Sequence, residues 1–284
     1  MRDTDVLYDL KEGSVAVLTL NRVNSRNAQD TQMLYAVHDA FERAAHDPAV
    51  KVIVLKANGP HFSAGNDLSE ADQAQNLAEH RTLGLWGDFS APGQEGMMGR
   101  EKEIYVEVAE RIRAIPKPTI AAVHGKCISG GLMLVWPCDI IVASEEAQFI
   151  DNTIVMGIPG VEWFAHPFEL GSRKAKELLF SGDPISAQDG HRLGMVNHVV
   201  PKSELDAFAL ALANRFSANA SFALKLAKEA VNQTADAMGR KAIQDSAFLA
   251  HQLAHNHARE LFGLPIDPTR LDPAIVKGTK YEQS

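Results

Sequence analysis

Two short glycine-bearing segments lie far apart in the chain, His61-Phe62-Ser63-Ala64-Gly65-Asn66-Asp67 and Ile128-Ser129-Gly130-Gly131. Each adjoins an apolar, strand-like run. Small residues at both places let a carbonyl approach the backbone, which a side chain would block. Two backbone N–H groups aimed at one oxygen stabilise the negative charge that develops on it. That is chemistry on a thioester or a similar acyl group. Groups able to move a proton stand further on, at Asp151, Glu162 and His166. Glu162 and His166 have i, i+4 spacing, so a helix there would put them on one face. An imidazole with a pKa near 6.5 is a competent proton shuttle at neutral pH.

Strands and helices must carry these groups. Val15–Leu20, Val52–Leu55, Thr119–Val123 and Asp139–Ala143 read as strands. Gln32–Ala45 has apolar residues at helical spacing, and a second helical pattern runs from Glu101 to Ile115, where Pro116-Lys117-Pro118 stops it. Leu132–Trp136 reads as helical. This alternation is the pattern of right-handed βαβ units around a parallel sheet. From Arg173 onward the pattern is mostly helical, with two long helices expected at Ala207–Val231 and Ile243–Phe262. The expected organisation is therefore an α/β core over 1–200, a helical region over 201–264 and an extended tail over 265–284. Leu83–Gly99, which holds Trp86, is irregular and partly apolar, and is expected to wall an acyl pocket.

The 284 residues are 45% hydrophobic and 23% charged, an ordinary soluble composition with ample core material. A net charge of −8 argues against a general nucleic-acid or anionic-membrane binder, while leaving room for a local phosphate contact. Two cysteines, Cys127 and Cys138, cannot build a disulfide framework and suggest a reducing compartment. No apolar run is long enough for a membrane span, and the first residues lack the apolar core of a signal peptide. A cytoplasmic protein is expected.

Three histidines, His251, His255 and His257, invite a metal reading. No carboxylate or cysteine near them completes a known spacing, so no metal is expected. Gly157-Ile158-Pro159-Gly160 lacks the spacing of a dinucleotide loop, and Ser129 lacks the Gly-x-Ser-x-Gly elbow of a serine hydrolase.

Several segments in order resemble the crotonase (enoyl-CoA hydratase/isomerase) superfamily. They are Leu20-Asn21-Arg22 with Arg26-Asn27-Ala28, Phe62–Asp67, Lys117–Gly125, Ser129-Gly130-Gly131, Cys138-Asp139-Ile140, Ala147-Gln148-Phe149, Ala175–Gly182 and Gly194–Asn197. The resemblance spans about Val15 to Val200. It implies a spiral of ββα repeats with a C-terminal helical region that serves as trimerisation or lid element. It also implies a homotrimer or homohexamer, and an acyl-CoA substrate with no cofactor other than that coenzyme A. By position it makes Ala64 N–H and Gly130 N–H the pair that holds the thioester oxygen. The loop with Arg22, Arg26 and Ala28 would touch CoA, with Ser63 and Asp67 beside the acyl group. Asp67 is also expected to cap the helix that follows. Met133, Trp136 and Trp163, with Trp86, would shape the acyl pocket.

The chain departs from the family at two places. Hydratases of this superfamily hold a water between two glutamates, and those positions are Met133 and Thr153 here. Neither transfers a proton as a carboxylate does. Glu162, with His166 or Asp151, is the expected replacement. The expected activity is that of an enoyl-CoA hydratase or isomerase. The alternatives are a thioester hydrolase and a catalytically silent acyl-CoA binder.

Overall fold

The computed structural model describes residues 5–11, 14–70 and 72–271. Most of the expected tail, 272–284, lies outside the described residues. Among the described residues nine strands form two sheets. β1 (Val6–Lys11), β2 (Val15–Leu20), β3 (Val52–Ala57), β4 (Thr119–Val123), β6 (Ile140–Ser144) and β9 (His198–Val200) make the larger one, in the order β1-β2-β3-β4-β6-β9. β5 (Lys126–Ile128), β7 (Gln148–Ile150) and β8 (Ile185–Ser186) make the smaller. Among the described residues only β1 with β2 and β7 with β8 are antiparallel.

The sheet is buried on both faces, which is why β3 and β4 are nearly unbroken apolar runs. Side chains alternate across it. Ala16, Leu18, Ile53, Leu55 and Ala121 enter the main core, while Val15, Val52, Val54, Ile120 and Val142 enter a second core on the other face. Leu205, Ala209, Leu212 and Ala213 cover that second face.

The helices are α1 (Thr31–His46), α2 (Gln73–Ala78), α3 (Gln94–Glu101), α4 (Val108–Ala114), α5 (Leu132–Val135), α6 (His166–Ser181), α7 (Ala187–Leu193), α8 (Leu205–Ser217), α9 (Ser221–Ala237) and α10 (Arg240–Phe262). β4, β5 and α5 form one ββα unit, and β6, β7 and α6 the next. Each unit turns from the large sheet into the small one before its helix. The site lies along that turn.

Two expectations on the helices are corrected. The helix expected from Glu101 starts earlier, at Gln94, and reaches α4 through a π turn at Lys102–Glu107. The two long C-terminal helices are three. α8 stops at Ser217 because the Asn219 amide donates to the carbonyls of Arg215 and Phe216, drawing the chain out of the helical path.

Candidate active site

The first glycine segment is stitched between two neighbours. Ser63 N–H donates to Lys126 O and Ile128 N–H to Ser63 O, while Gln29 N–H donates to Gly65 O and Asp67 N–H to Gln29 O. Gly65 has φ +89, and a Cβ built on it would lie 2.8 Å from Ile128 O and 3.4 Å from Gly130 N. A Cβ built on Gly130 would lie 2.2 Å from Asn66 Oδ1 and 3.1 Å from Asn66 N. Both glycines are thus required by backbone that touches backbone.

This stitching corrects one sequence assignment. Ala64 N–H donates to Arg26 O at 2.9 Å, so it is already used. Asn66 N–H makes no backbone hydrogen bond among the described residues. Gly130 N–H opens a helical turn, where no preceding carbonyl is in place to accept it. The convergent open pair is Asn66 and Gly130. The strained φ of +40 at Ser129 sets the second member of that pair.

Beside the pair is a cavity of about 230 Å³, lined by Ala64, Asn66, Ser129, Thr153, Glu162, Glu101, His251 and His255, with apolar walls from Leu68, Ile128, Val155, Met156 and Ile158. Glu162 is buried, and Asn66 Nδ2 donates to its Oε1 at 3.3 Å. Glu162 does not share a helical face with His166. It sits in the loop ahead of α6, which begins at His166.

That loop is anchored on both sides of Glu162. Val161 N–H donates to Asp151 Oδ2 at 3.0 Å, and Trp163 N–H donates to Met133 Sδ at 3.4 Å. Asp151 Oδ1 also accepts from Thr153 N–H at 3.0 Å and Thr153 Oγ1 at 2.6 Å. Of the two side chains at the missing-glutamate positions, Met133 therefore holds the loop that presents Glu162 directly, and Thr153 bonds Asp151, which holds it.

Asp151 and His166 form a buried pair, with His166 Nε2 2.8 Å from Asp151 Oδ2, and neither lines the cavity. The His166 ring also packs against Trp136 and Phe164. Their expected proton-moving role is corrected to positioning. Burial alone would raise the Asp151 pKa, but the His166 and Thr153 hydrogen bonds bring it below its ordinary value. The carboxylate thus stabilises the fold above its unfolded pKa, and that contribution is lost as pH falls through the lower folded value. Asp151→Asn is expected to cost about 3–5 kcal/mol at pH 7, as removal of one partner from a buried pair does. Urea melts at pH 7 and below pH 3.8 check this: the two proteins converge in acid. Equal stability at pH 7 would contradict the positioning role.

Several expected pocket residues lie elsewhere. Met133, Trp136 and Trp163 are core side chains, and Trp163 Nε1 donates to Glu110 Oε1 at 2.7 Å. Trp86 is half-exposed in a separate surface depression with Leu85, Asp88 and Glu95. Ser63 is fully buried and joins Gln29 Nε2, Asn27 O and Gly65 N–H. Asp67 caps no helix: its Oδ1 accepts from Ser69 N–H and Oγ, and α2 has its own cap at Asp72. Arg22 is taken up by Asp67, Asp30 and the Ala28 carbonyl. Arg26, on the same loop, is exposed.

Sequence reasoning missed Glu101, Asn66 and the cavity role of His251 and His255. Glu101 ends α3, and both histidines project from α10. His255 Nε2 lies 3.3 Å from Glu101 Oε1. Burial alone would raise the Glu101 pKa, but His255 and His251 hold it at about 2. Burial lowers His251 to about 4; for His255 the Glu101 carboxylate outweighs burial and raises it. The i, i+4 histidine spacing was the one signal available, and its third member came from a distant helix.

The chain is similar to known proteins along most of its length. A family model for enoyl-CoA hydratase/isomerase matches residues 10–264. EchA13 of Mycobacterium tuberculosis is 44% identical over 259 residues, 89% of this chain and 81% of that protein. A short-chain-enoyl-CoA hydratase of Clostridium acetobutylicum is 34% identical, covering 78% of this chain and 79% of its own. The crystal structure of a probable enoyl-CoA hydratase from Mycobacterium smegmatis superposes with a TM-score of 0.83 at 44% identity, over 92% of this chain and 99% of that one. The family match, the identity and the superposition all extend along most of the chain, which belongs to the enoyl-CoA hydratase/isomerase family.

Proposed function

We propose that this chain binds an enoyl-CoA thioester with its carbonyl oxygen on Asn66 N–H and Gly130 N–H, and that Glu162 moves the proton. The observation that carries this is that Asn66 and the buried Glu162 carboxylate line one cavity, with Gly130 packed against Asn66 at its edge. The donors are preorganised where the thioester oxygen becomes an enolate oxygen, and one such donor is worth about 3–4 kcal/mol. In hydration, water oxygen bonds to the β-carbon, the C=C electron pair moves onto the thioester oxygen, and a proton then reaches the α-carbon. In isomerisation, one base removes a proton and returns it two carbons away. Glu162 suffices for the second and takes one role in the first.

Coenzyme A enters as part of the substrate, with Arg26 toward its phosphates. Cys127 and Cys138 are free and buried, in keeping with a reducing, cytoplasmic setting. No helix among the described residues is long and apolar enough to cross a membrane. The assembly proposed is a trimer or hexamer. α9 buries none of its residues, and Phe222, Leu226 and Val231 are exposed on it. Sedimentation showing only a monomer would overturn that assembly.

The reaction is tested by mass spectrometry with trans-2-enoyl-CoAs in deuterated water. Gain of one water, or deuterium uptake without it, supports enolate chemistry and separates hydration from isomerisation. Binding without either change would overturn the enzyme reading in favour of a silent acyl-CoA binder.

A further inference from the structure

His251 and His255 stand one turn apart on α10, and Glu101 meets them from α3. His251 Nε2 is 3.7 Å from Glu101 Oε2, His255 Nε2 is 3.3 Å from Glu101 Oε1, and the two Nε2 atoms are 2.9 Å apart. The other ring nitrogens are committed. His251 Nδ1 donates to Gly160 O at 2.8 Å, and His255 Nδ1 donates to Pro265 O. A carbonyl only accepts, so both Nδ1 atoms carry hydrogen. Unprotonated, both Nε2 lone pairs point inward at each other and at a carboxylate. Such a cluster is stable only with a cation at its centre, either a shared proton or a metal ion.

We propose that Glu101, His251 and His255 bind a divalent first-row transition-metal ion of the zinc class. Zinc bonds to nitrogen and oxygen are about 2.0–2.2 Å, which for tetrahedral geometry sets ligand atoms roughly 3.3–3.6 Å apart. One ligand atom from each residue lies within 4.8 Å of the other two; His255 Nε2 and Glu101 Oε1, 3.3 Å apart, already match that value, and the two Nε2 atoms, 2.9 Å apart, would spread to admit the ion. Two imidazoles and one carboxylate are a donor set for zinc and neighbouring metals. The outer contacts fit as well. Each imidazole is oriented through Nδ1 by a backbone carbonyl, and Gln252 Nε2 donates to Glu101 Oε2 at 2.6 Å. All three ligands are buried, and all three line the cavity that holds Glu162. Three protein ligands leave a coordination position open, the arrangement of a reactive rather than a closed structural site.

The test uses the full chain, stripped with chelator and titrated with Co²⁺, whose tetrahedral complexes absorb visibly, and then with Zn²⁺. No acyl-CoA is present, so the outcome is independent of the proposed reaction. One ion per chain is expected, with Zn²⁺ displacing Co²⁺. Gln252→Ala should weaken binding about 10- to 100-fold, and Glu101→Gln at least as much. His257→Gln, on the exposed side of the same helix, should leave it unchanged. A wild-type chain that takes up neither ion, or Glu101→Gln and His255→Gln variants that bind as wild type does, would overturn the site. The first of these needs no variant to fold.

Discussion

Glu162→Gln should lower kcat about 10²- to 10⁴-fold, the usual worth of a positioned acid or base, with KM for an enoyl-CoA nearly unchanged. Glutamine keeps the shape and can still face the Asn66 amide, which donates to Glu162 Oε1 at 3.3 Å. It cannot carry the proton. The loop should stay in place, because Val161 N–H on Asp151 and Trp163 N–H on Met133 anchor it on both sides of Glu162. Steady-state kinetics with a trans-2-enoyl-CoA measures the split. An equal loss of kcat and binding would mean that Glu162 shapes the pocket instead. Full activity would move proton transfer to the Glu101, His251 and His255 cluster, which lines the same cavity.

Gly130→Ala should cost about 10²- to 10³-fold in kcat, comparable to losing one oxyanion donor. The added methyl would lie 2.2 Å from Asn66 Oδ1 and 2.9 Å from Gln29 Oε1. The two loops would have to part, and the N–H groups of Asn66 and Gly130 would no longer meet at one oxygen. In the proposed pose the CoA end lies at the Arg26 loop, away from Gly130, so binding of free CoA, followed by calorimetry, should persist. Activity within a few-fold of wild type would place the thioester oxygen at another donor. By contrast, Ala64→Gly should change turnover little, because the Ala64 N–H is already donated to Arg26 O.

The fold was legible because its signals are local. β3 and β4 are short apolar runs that only a sheet buried on both faces explains, and α1 carries its apolar stripe at helical spacing. The glycine loops were legible too, since a small residue where backbone meets backbone has no cheap substitute. The break between α8 and α9 was not, because a side chain bonding its own backbone competes with a helix by amounts that periodicity does not register. Asn66 was missed for a related reason. The motif shows which loop offers an N–H, but the hydrogen bond from Ala64 to Arg26 O decides which one is spent.

The acid–base assignments separate most clearly. The ordered motifs, through their resemblance to the crotonase superfamily, already pointed to an acyl-CoA enzyme lacking the usual pair of glutamates, with Glu162 as a carboxylate near the right place. Whether a carboxylate faces the cavity or braces a loop is settled by which groups surround it after folding. Asp151 and Glu162 are equally acidic in sequence, yet Asp151 is enclosed by His166, Thr153 and the Val161 N–H, while Glu162 lines the cavity. Glu101 shows the same from the other side. The carboxylates near His251 and His255 in sequence, Asp245 and Glu260, are exposed, and the one that meets the histidines comes from α3, which reaches α10 only when the C-terminal helix packs back over the core. Local chemistry is written residue by residue, but the company a charged group keeps is a property of the packed chain.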